Sequence, residues 1–193
     1  MVTPAHRPKA TVADLEAYQG THHAELIGGT IVEKALPGGD HALAQAEIIL
    51  QVAGAFHRGR GGGQPGGWWI LPEMAVELGP DEVYLPDIAG WRRERVPERP
   101  RGTRTRIVPD WVCEVLSDSN ARNELVDKLR VYQRREVGHY WIVDPMSETL
   151  TVYRLQHGEY TLALTAKRGE RVRAEPFAEI ELDVGALFGD EPG

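Results

Sequence analysis

The segment DWVCEVLSDSN, residues 110–120, constrains the fold more than any other part of the chain. Trp111, Val112, Cys113, Val115 and Leu116 read as an inner strand of a sheet, and Glu114 interrupts them. An unpaired carboxylate costs several kcal/mol to bury. Any fold that buries this strand must therefore bring compensating charge to Glu114.

The flanking sequence indicates what kind of sheet this is. Thr11 can cap a short helix running to about Gln19, with Asp14 favouring its start. AELIGGTIVEKAL reads as a hairpin turning at Gly28-Gly29, and PGGD breaks the chain before a helix over about 41–57. WWILPEMAVEL and EVYLPDIAGW follow a glycine-rich loop at 59–67 and read as strands, the second interrupted by Pro86. After the 110–120 strand come a helix over about 120–135, the buried strand GHYWIVD, and strand-like pieces near TLTVYRL, EYTLALTA and FAEIELDV. This order predicts an α+β, or mixed α/β, fold: a central mixed sheet flanked by helices. At 193 residues the chain is expected to form one domain over 1–193, with poorly ordered ends at 1–10 and 188–193.

Two further charges point toward Glu114. In the following helix Leu125, Leu129 and Tyr132 form an apolar stripe, and Lys128 lies about 60° from Leu125, at its edge. Asp127 and Arg130 fall on the opposite side. Lys128 is thus the cation aimed at the sheet, and a structural ion pair with Glu114 is the simplest account of both. Asp87 stands directly after Pro86, where a strand begins or bends.

Pro86-Asp87, then Glu114 within an apolar strand, then an inward Lys128 resemble the PD-(D/E)XK nuclease superfamily. More closely, the chain resembles the Uma-type restriction endonucleases through AELIGGTIVE, LPDIAGW, WVCEVLSDSN, DKLRVYQRREVGHYWIVDP and TLTVYRL. The resemblance implies a restriction-endonuclease-like fold and a metal-dependent DNA endonuclease. It implies that Asp87 and Glu114 are the metal-holding acids, that Lys128 completes the catalytic set, and that the cofactor is Mg²⁺ or Mn²⁺. The superfamily's usual lysine stands two residues after the second acid, where this chain has Leu116. Lys128 is then a migrated lysine, whose long stem can reach the same volume. The alternative is a catalytically weak or inactive module of the same fold that binds nucleic acid or protein.

Glu25 matches the family's acid in ELIGG. Glu47 shares a helical face with Leu43 and Leu50 and is expected to point inward as a further site acid. Residues 92–106 hold seven arginines against two glutamates in a chain of net charge −7. That loop joins the strands of Asp87 and Glu114, so it is expected near the site mouth, with Arg92, Arg93, Arg104 and Arg106 as candidate phosphate ligands; a solvated loop is the simpler reading. The acidic total argues against bulk electrostatic coating of nucleic acid.

DNA is the expected partner, with no membrane, and a homodimer is compatible with the two cuts a duplex needs. One cysteine and the lack of an apolar leader point to a cytoplasmic setting. The glycine loop at 61–66 fits G-x-G-x-x-G but lacks the strand-to-helix context of a dinucleotide site. His22-His23 beside Glu25 is a weak metal signal. Ser117 lacks a nucleophile elbow, and Trp91 reads as core or as a stacking platform.

Overall fold

The computed structural model describes residues 9–18, 23–34, 36–59, 63, 65–117 and 121–191. The Thr11 cap forms with its reciprocal partner: the Asp14 amide donates to Thr11 Oγ1 at 3.3 Å, and Asp14 Oδ2 accepts from the Thr11 amide at 2.7 Å. It opens α1, Val12–Ala17. Strands β1, Ala24–Ile27, and β2, Thr30–Glu33, form the expected hairpin. Gly28 and Gly29 both have positive φ (57° and 85°), as a tight twisted turn requires.

Helix α2 spans Gly39–Ile48 and continues through a π turn at Ile49–Ala53 into α3, Gly54–Phe56. WWILPEMAVEL and EVYLPDIAGW each divide into two strands: β3, Trp68–Pro72; β4, Ala75–Gly79; β5, Glu82–Tyr84; and β6, Ile88–Arg92. Short β7, Arg104–Thr105, precedes β8, Trp111–Val115. Helix α4, Ala121–Arg134, leads to β9, His139–Asp144, then β10, Thr149–Gln156, and β11, Glu159–Lys167. FAEIELDV supplies only the two-residue β13, Leu182–Asp183, which pairs with β12, Arg171–Val172. The 120–135 helix lacks a describable cap, because residues 118–120 lie outside the described set, as do His22 and Gly61 and Gly62 of the glycine loop.

The mixed α+β class holds, built on two mixed sheets. The larger has strand order β11-β10-β9-β8-β6-β3, with β8 and β9 parallel and the other neighbours antiparallel. Helix α4 makes the crossover that a parallel pair demands. Pro72 sits on edge strand β3, where a missing amide is tolerated. The second sheet, β2-β1-β5-β4-β7, is a layer that strand-by-strand reading did not anticipate.

Strand alternation sends β8 into two cores. Trp111, Cys113 and Val115 pack with Ala44, Ile48 and Phe177 on one face, while Val112 packs with Val131, Tyr132 and Tyr84 on the other. Glu114 shares its face with Val112 and so looks toward α4. Of the ends expected to be poorly ordered, 1–8 and 192–193 lie outside the described residues. Lys9 bonds Asp81 at 2.9 Å and Asp190 bonds Arg168 at 2.6 Å, so the described parts of both ends are tied down.

Gly90 fixes the spacing at the centre of β6. A Cβ there would lie 2.9 Å from Trp111 Cε3 and 3.3 Å from Trp68 Cε3. Gly90→Ala is expected to force one indole out of place and cost about 1–3 kcal/mol. Urea unfolding of the variant checks this; wild-type stability would contradict it.

Candidate active site

Asp87 stands one step beyond the Ile88–Cys113 pair of the β6–β8 ladder, which puts it opposite Glu114. Its Oδ2 accepts from the Val115 amide at 2.6 Å, so the carboxylate takes the place of the next ladder carbonyl. The two acids therefore sit side by side at one sheet end. Lys128, one turn before Tyr132 on α4, meets Glu114: Nζ lies 3.1 Å from Oε2, and the Tyr132 hydroxyl donates to Oε1 at 2.9 Å. The same ammonium lies 3.1 Å from Glu25 Oε1, which also accepts from the Leu85 amide at 2.7 Å. Asp87, Glu114, Lys128 and Glu25 are each at most 5% exposed, so none of these charges is a solvated surface group.

Other residues join that reading the sequence did not single out. Lys34, just past β2, lies 2.6 Å from Asp87 Oδ1, and His41 Nε2, at the start of α2, lies 3.2 Å from Oδ2. Glu73, in the turn between β3 and β4, has φ of +50° and accepts from Gln45 Nε2 at 3.0 Å; the same nitrogen reaches the Asp87 carbonyl at 2.9 Å. A non-glycine residue in that region is costly and tends to mark a functional turn. Lone polar residues at a strand end, a helix start and a turn carry little periodic signal.

Two expectations are corrected. Glu47 does not face the cluster. The inward side of α2 carries His41, Ala44 and Ile48, followed by Val52, whereas Leu43 and Leu50 are exposed. Glu47 makes no hydrogen bond or ion pair among the described residues. Both stripes of this helix are apolar in sequence, and packing buries the one that carries Ala44 and Ile48.

The arginine loop is also remote from the acids. Asp87 precedes β6 and Glu114 is near the end of β8, and the strands are antiparallel, so the loop joins their opposite ends, about 10 Å or more away along β8. Its guanidinium groups serve the scaffold. Arg92 lies over Trp68 and Arg93 over Trp69, Arg93 donates to the His57 and Trp68 carbonyls, Arg95 clasps Asp110, and Arg104 and Arg106 meet Glu77. Trp91 is fully buried, with its indole nitrogen bonded to the Ile107 carbonyl, which removes it as a stacking platform. His23 makes no ion pair among the described residues.

Electrostatics sets the acids apart. Burial pushes the Asp87 carboxyl up, but the His41 contact and Lys34 reverse this and hold it at about 2. Burial pushes Glu114 up to about 7, because Lys128 offsets only part of the cost and Asp87 adds repulsion. Lys128 responds in the opposite sense: burial disfavours its charge, yet Glu114 and Glu25 together outweigh burial and raise it. One lysine is shared by two acids, so the lysine gains and Glu114 loses. Lys34 is likewise raised, burial being outweighed by Asp87 and Glu114. Lys128 is therefore held as an ammonium at neutral pH.

The sign of the Glu114 shift fixes a pH dependence. From about 4.5 to 7 the folded protein keeps a proton that the unfolded chain has lost, so this contribution is full at low pH and disappears as pH rises through about 7. Relative to Glu114→Gln, the metal-free wild type is expected to lose up to about 3 kcal/mol across that window. Denaturant titrations at several pH values check this; parallel curves would contradict it.

Could these residues hold a metal? Four carboxylates, of Glu25, Glu73, Asp87 and Glu114, face two ammonium groups, of Lys34 and Lys128. The excess of negative charge and the hard oxygen donors suit a divalent cation, and Glu73 Oε2 is buried without a hydrogen-bond donor. Among the described residues, no three acidic, histidine or cysteine side chains by themselves enclose an ion. The donor chemistry fits; the oxygens are at present met by lysines and backbone amides.

The mixed sheet thus sets an aspartate beside β6 opposite a glutamate on β8, with a lysine from the crossover helix against the glutamate. The chain is a member of the Uma2 family, described as "Putative restriction endonuclease", whose family model matches residues 12–185. Its fold is similar to that of a crystal structure described as a "putative nuclease belonging to DUF820" from Anabaena variabilis, with a TM-score of 0.75 and 24% identity, covering 92% of this chain and 97% of that one. No curated protein matches the chain. Among the described residues, no helix is long and apolar enough to cross a membrane.

Proposed function

We propose that the protein is a divalent-cation-dependent endonuclease that hydrolyses phosphodiester bonds in DNA. The observation that carries this is the pairing of buried Asp87 and Glu114 at one sheet end, with Lys128 3.1 Å from Glu114. Asp87 and Glu114 would hold Mg²⁺ or Mn²⁺. Such an ion supplies Lewis-acid polarisation of the scissile phosphate and a more acidic water. Tyr132 and Lys128 fix the Glu114 carboxylate from two directions, which keeps its oxygens oriented without rearrangement. Lys128, held protonated, orients the attacking water and offsets negative charge gathering on phosphate oxygens. Glu25 keeps the lysine in register from the hairpin side.

The test is cleavage of single- and double-stranded DNA with Mg²⁺ or Mn²⁺. Products that require the metal and vanish with a chelator support the reading, and their absence from a folded, metal-bound protein refutes it. Leu116, at the superfamily's usual lysine position, and the net charge of −7 favour a second reading, a module that binds nucleic acid or protein without turnover. Calorimetry separates the two: partner binding without metal supports the module, and Asp87-dependent metal binding supports the enzyme.

A further inference from the structure

Lys34 occupies the position that a cation would take beside Asp87. Its Nζ has three oxygens around it: Asp87 Oδ1 at 2.6 Å, the Leu85 carbonyl at 2.8 Å and Glu73 Oε2 at 3.7 Å. Two belong to carboxylates and one to the backbone, a set of the kind hard cations take. The surroundings hold these oxygens in place. Gln45 Nε2 bridges Glu73 Oε1 and the Asp87 carbonyl, the Glu73 amide donates to that same carbonyl at 3.2 Å, and Glu73 itself takes a left-handed backbone conformation. Glu73 Oε2 has no hydrogen-bond donor, so its partner is the ammonium charge alone. The Lys34 side chain is 18% exposed against 7% for Lys128, so of the two lysines it is the one with a path to solvent.

We propose that Lys34 is a specificity-determining residue of this site: a tethered ammonium that fills the cation position at Asp87 and yields only to an ion of higher charge. The inference rests on the reading of Asp87 as a metal-holding acid. A monovalent ion would bring the same charge as the ammonium and would have to displace a group already joined to the chain. A divalent ion brings twice the charge to the same oxygens, and the freed lysine can turn to water. The site thereby discriminates by charge before it discriminates by size.

Two measurements test this. Calorimetry with Mn²⁺ compares wild type, Lys34→Gln and Asp87→Asn, with folding checked by circular dichroism. Lysine acylation read by mass spectrometry compares wild type with and without Mn²⁺. Lys34→Gln is expected to bind Mn²⁺ about tenfold or more tightly than wild type, because the competing charge is gone. Acylation of Lys34 is expected to rise several-fold when Mn²⁺ binds, while Lys9 and Lys167 stay constant. Equal Mn²⁺ affinity in wild type and Lys34→Gln, or unchanged Lys34 acylation on metal binding, overturns the inference alone. Absence of Mn²⁺ binding in both overturns the metal reading of Asp87 and Glu114, and the inference with it. If Lys34→Gln fails to fold, the acylation result on the native protein decides.

Discussion

Glu114→Ala is expected to lower metal-dependent DNA cleavage by roughly 10³-fold or more in kcat/KM. The substitution removes one of the two acids proposed to hold the ion and leaves the contacts around Asp87 in place. It is also the cleaner of the two acid variants. Lys128 keeps Glu25 at 3.1 Å as a partner, and only the buried Tyr132 hydroxyl loses its acceptor. Asp87→Ala would instead strip Lys34, His41 and the Val115 amide of their common acceptor, mixing lost chemistry with lost stability. Single-turnover cleavage of a labelled duplex with Mg²⁺ measures the effect, with circular dichroism confirming the fold. Wild-type rates in Glu114→Ala would remove Glu114 from the mechanism.

Lys128→Met carries the largest expected change in stability. It leaves Glu25 and Glu114 buried with their shared cation gone, and breaking a buried pair in this way costs about 3–5 kcal/mol. The penalty should depend on pH. Without Lys128 the Glu114 carboxyl is pushed higher than in the wild type, so at low pH it can take a proton and relieve most of its own cost, whereas at high pH the carboxylate is trapped ionised. The double variant Glu114→Gln, Lys128→Met is expected to recover much of the loss, because a neutral amide can still accept from Tyr132. Denaturant unfolding at about pH 8 over the four members of the cycle gives the coupling directly. A single variant within about 1 kcal/mol of wild type would mean that Lys128 is not the counter-charge of Glu114.

The parts of the site legible in the sequence were those where burial contradicts chemistry. A glutamate inside an apolar strand and a lysine on the apolar edge of a helix both break a strong pattern, and the structure brings them to 3.1 Å. The Gly28-Gly29 hairpin was legible because two successive positive φ angles leave few alternatives to glycine. Lys34, His41, Gln45 and Glu73 break no pattern. Each is one polar residue at a place where polar residues are ordinary, and only their convergence on Asp87 gives them a shared address. The arginine loop failed for a topological reason: adjacency in sequence to two site strands does not say which ends of those strands it joins. Glu47 failed because a helix apolar on two sides offers two inward faces, and packing rather than periodicity selects one.

The site draws Glu25 and Lys34 from the first hairpin and Lys128 from a helix almost a hundred residues later. During synthesis at about 5–20 residues per second, the early pair leaves the ribosome roughly 5–20 s before its partners exist. A chain interrupted before α4 would lack the lysine that neutralises Glu25 and the crossover that seats β9 beside β8. On the proposed function, the site is completed only after α4 and β9 have been made, late in translation.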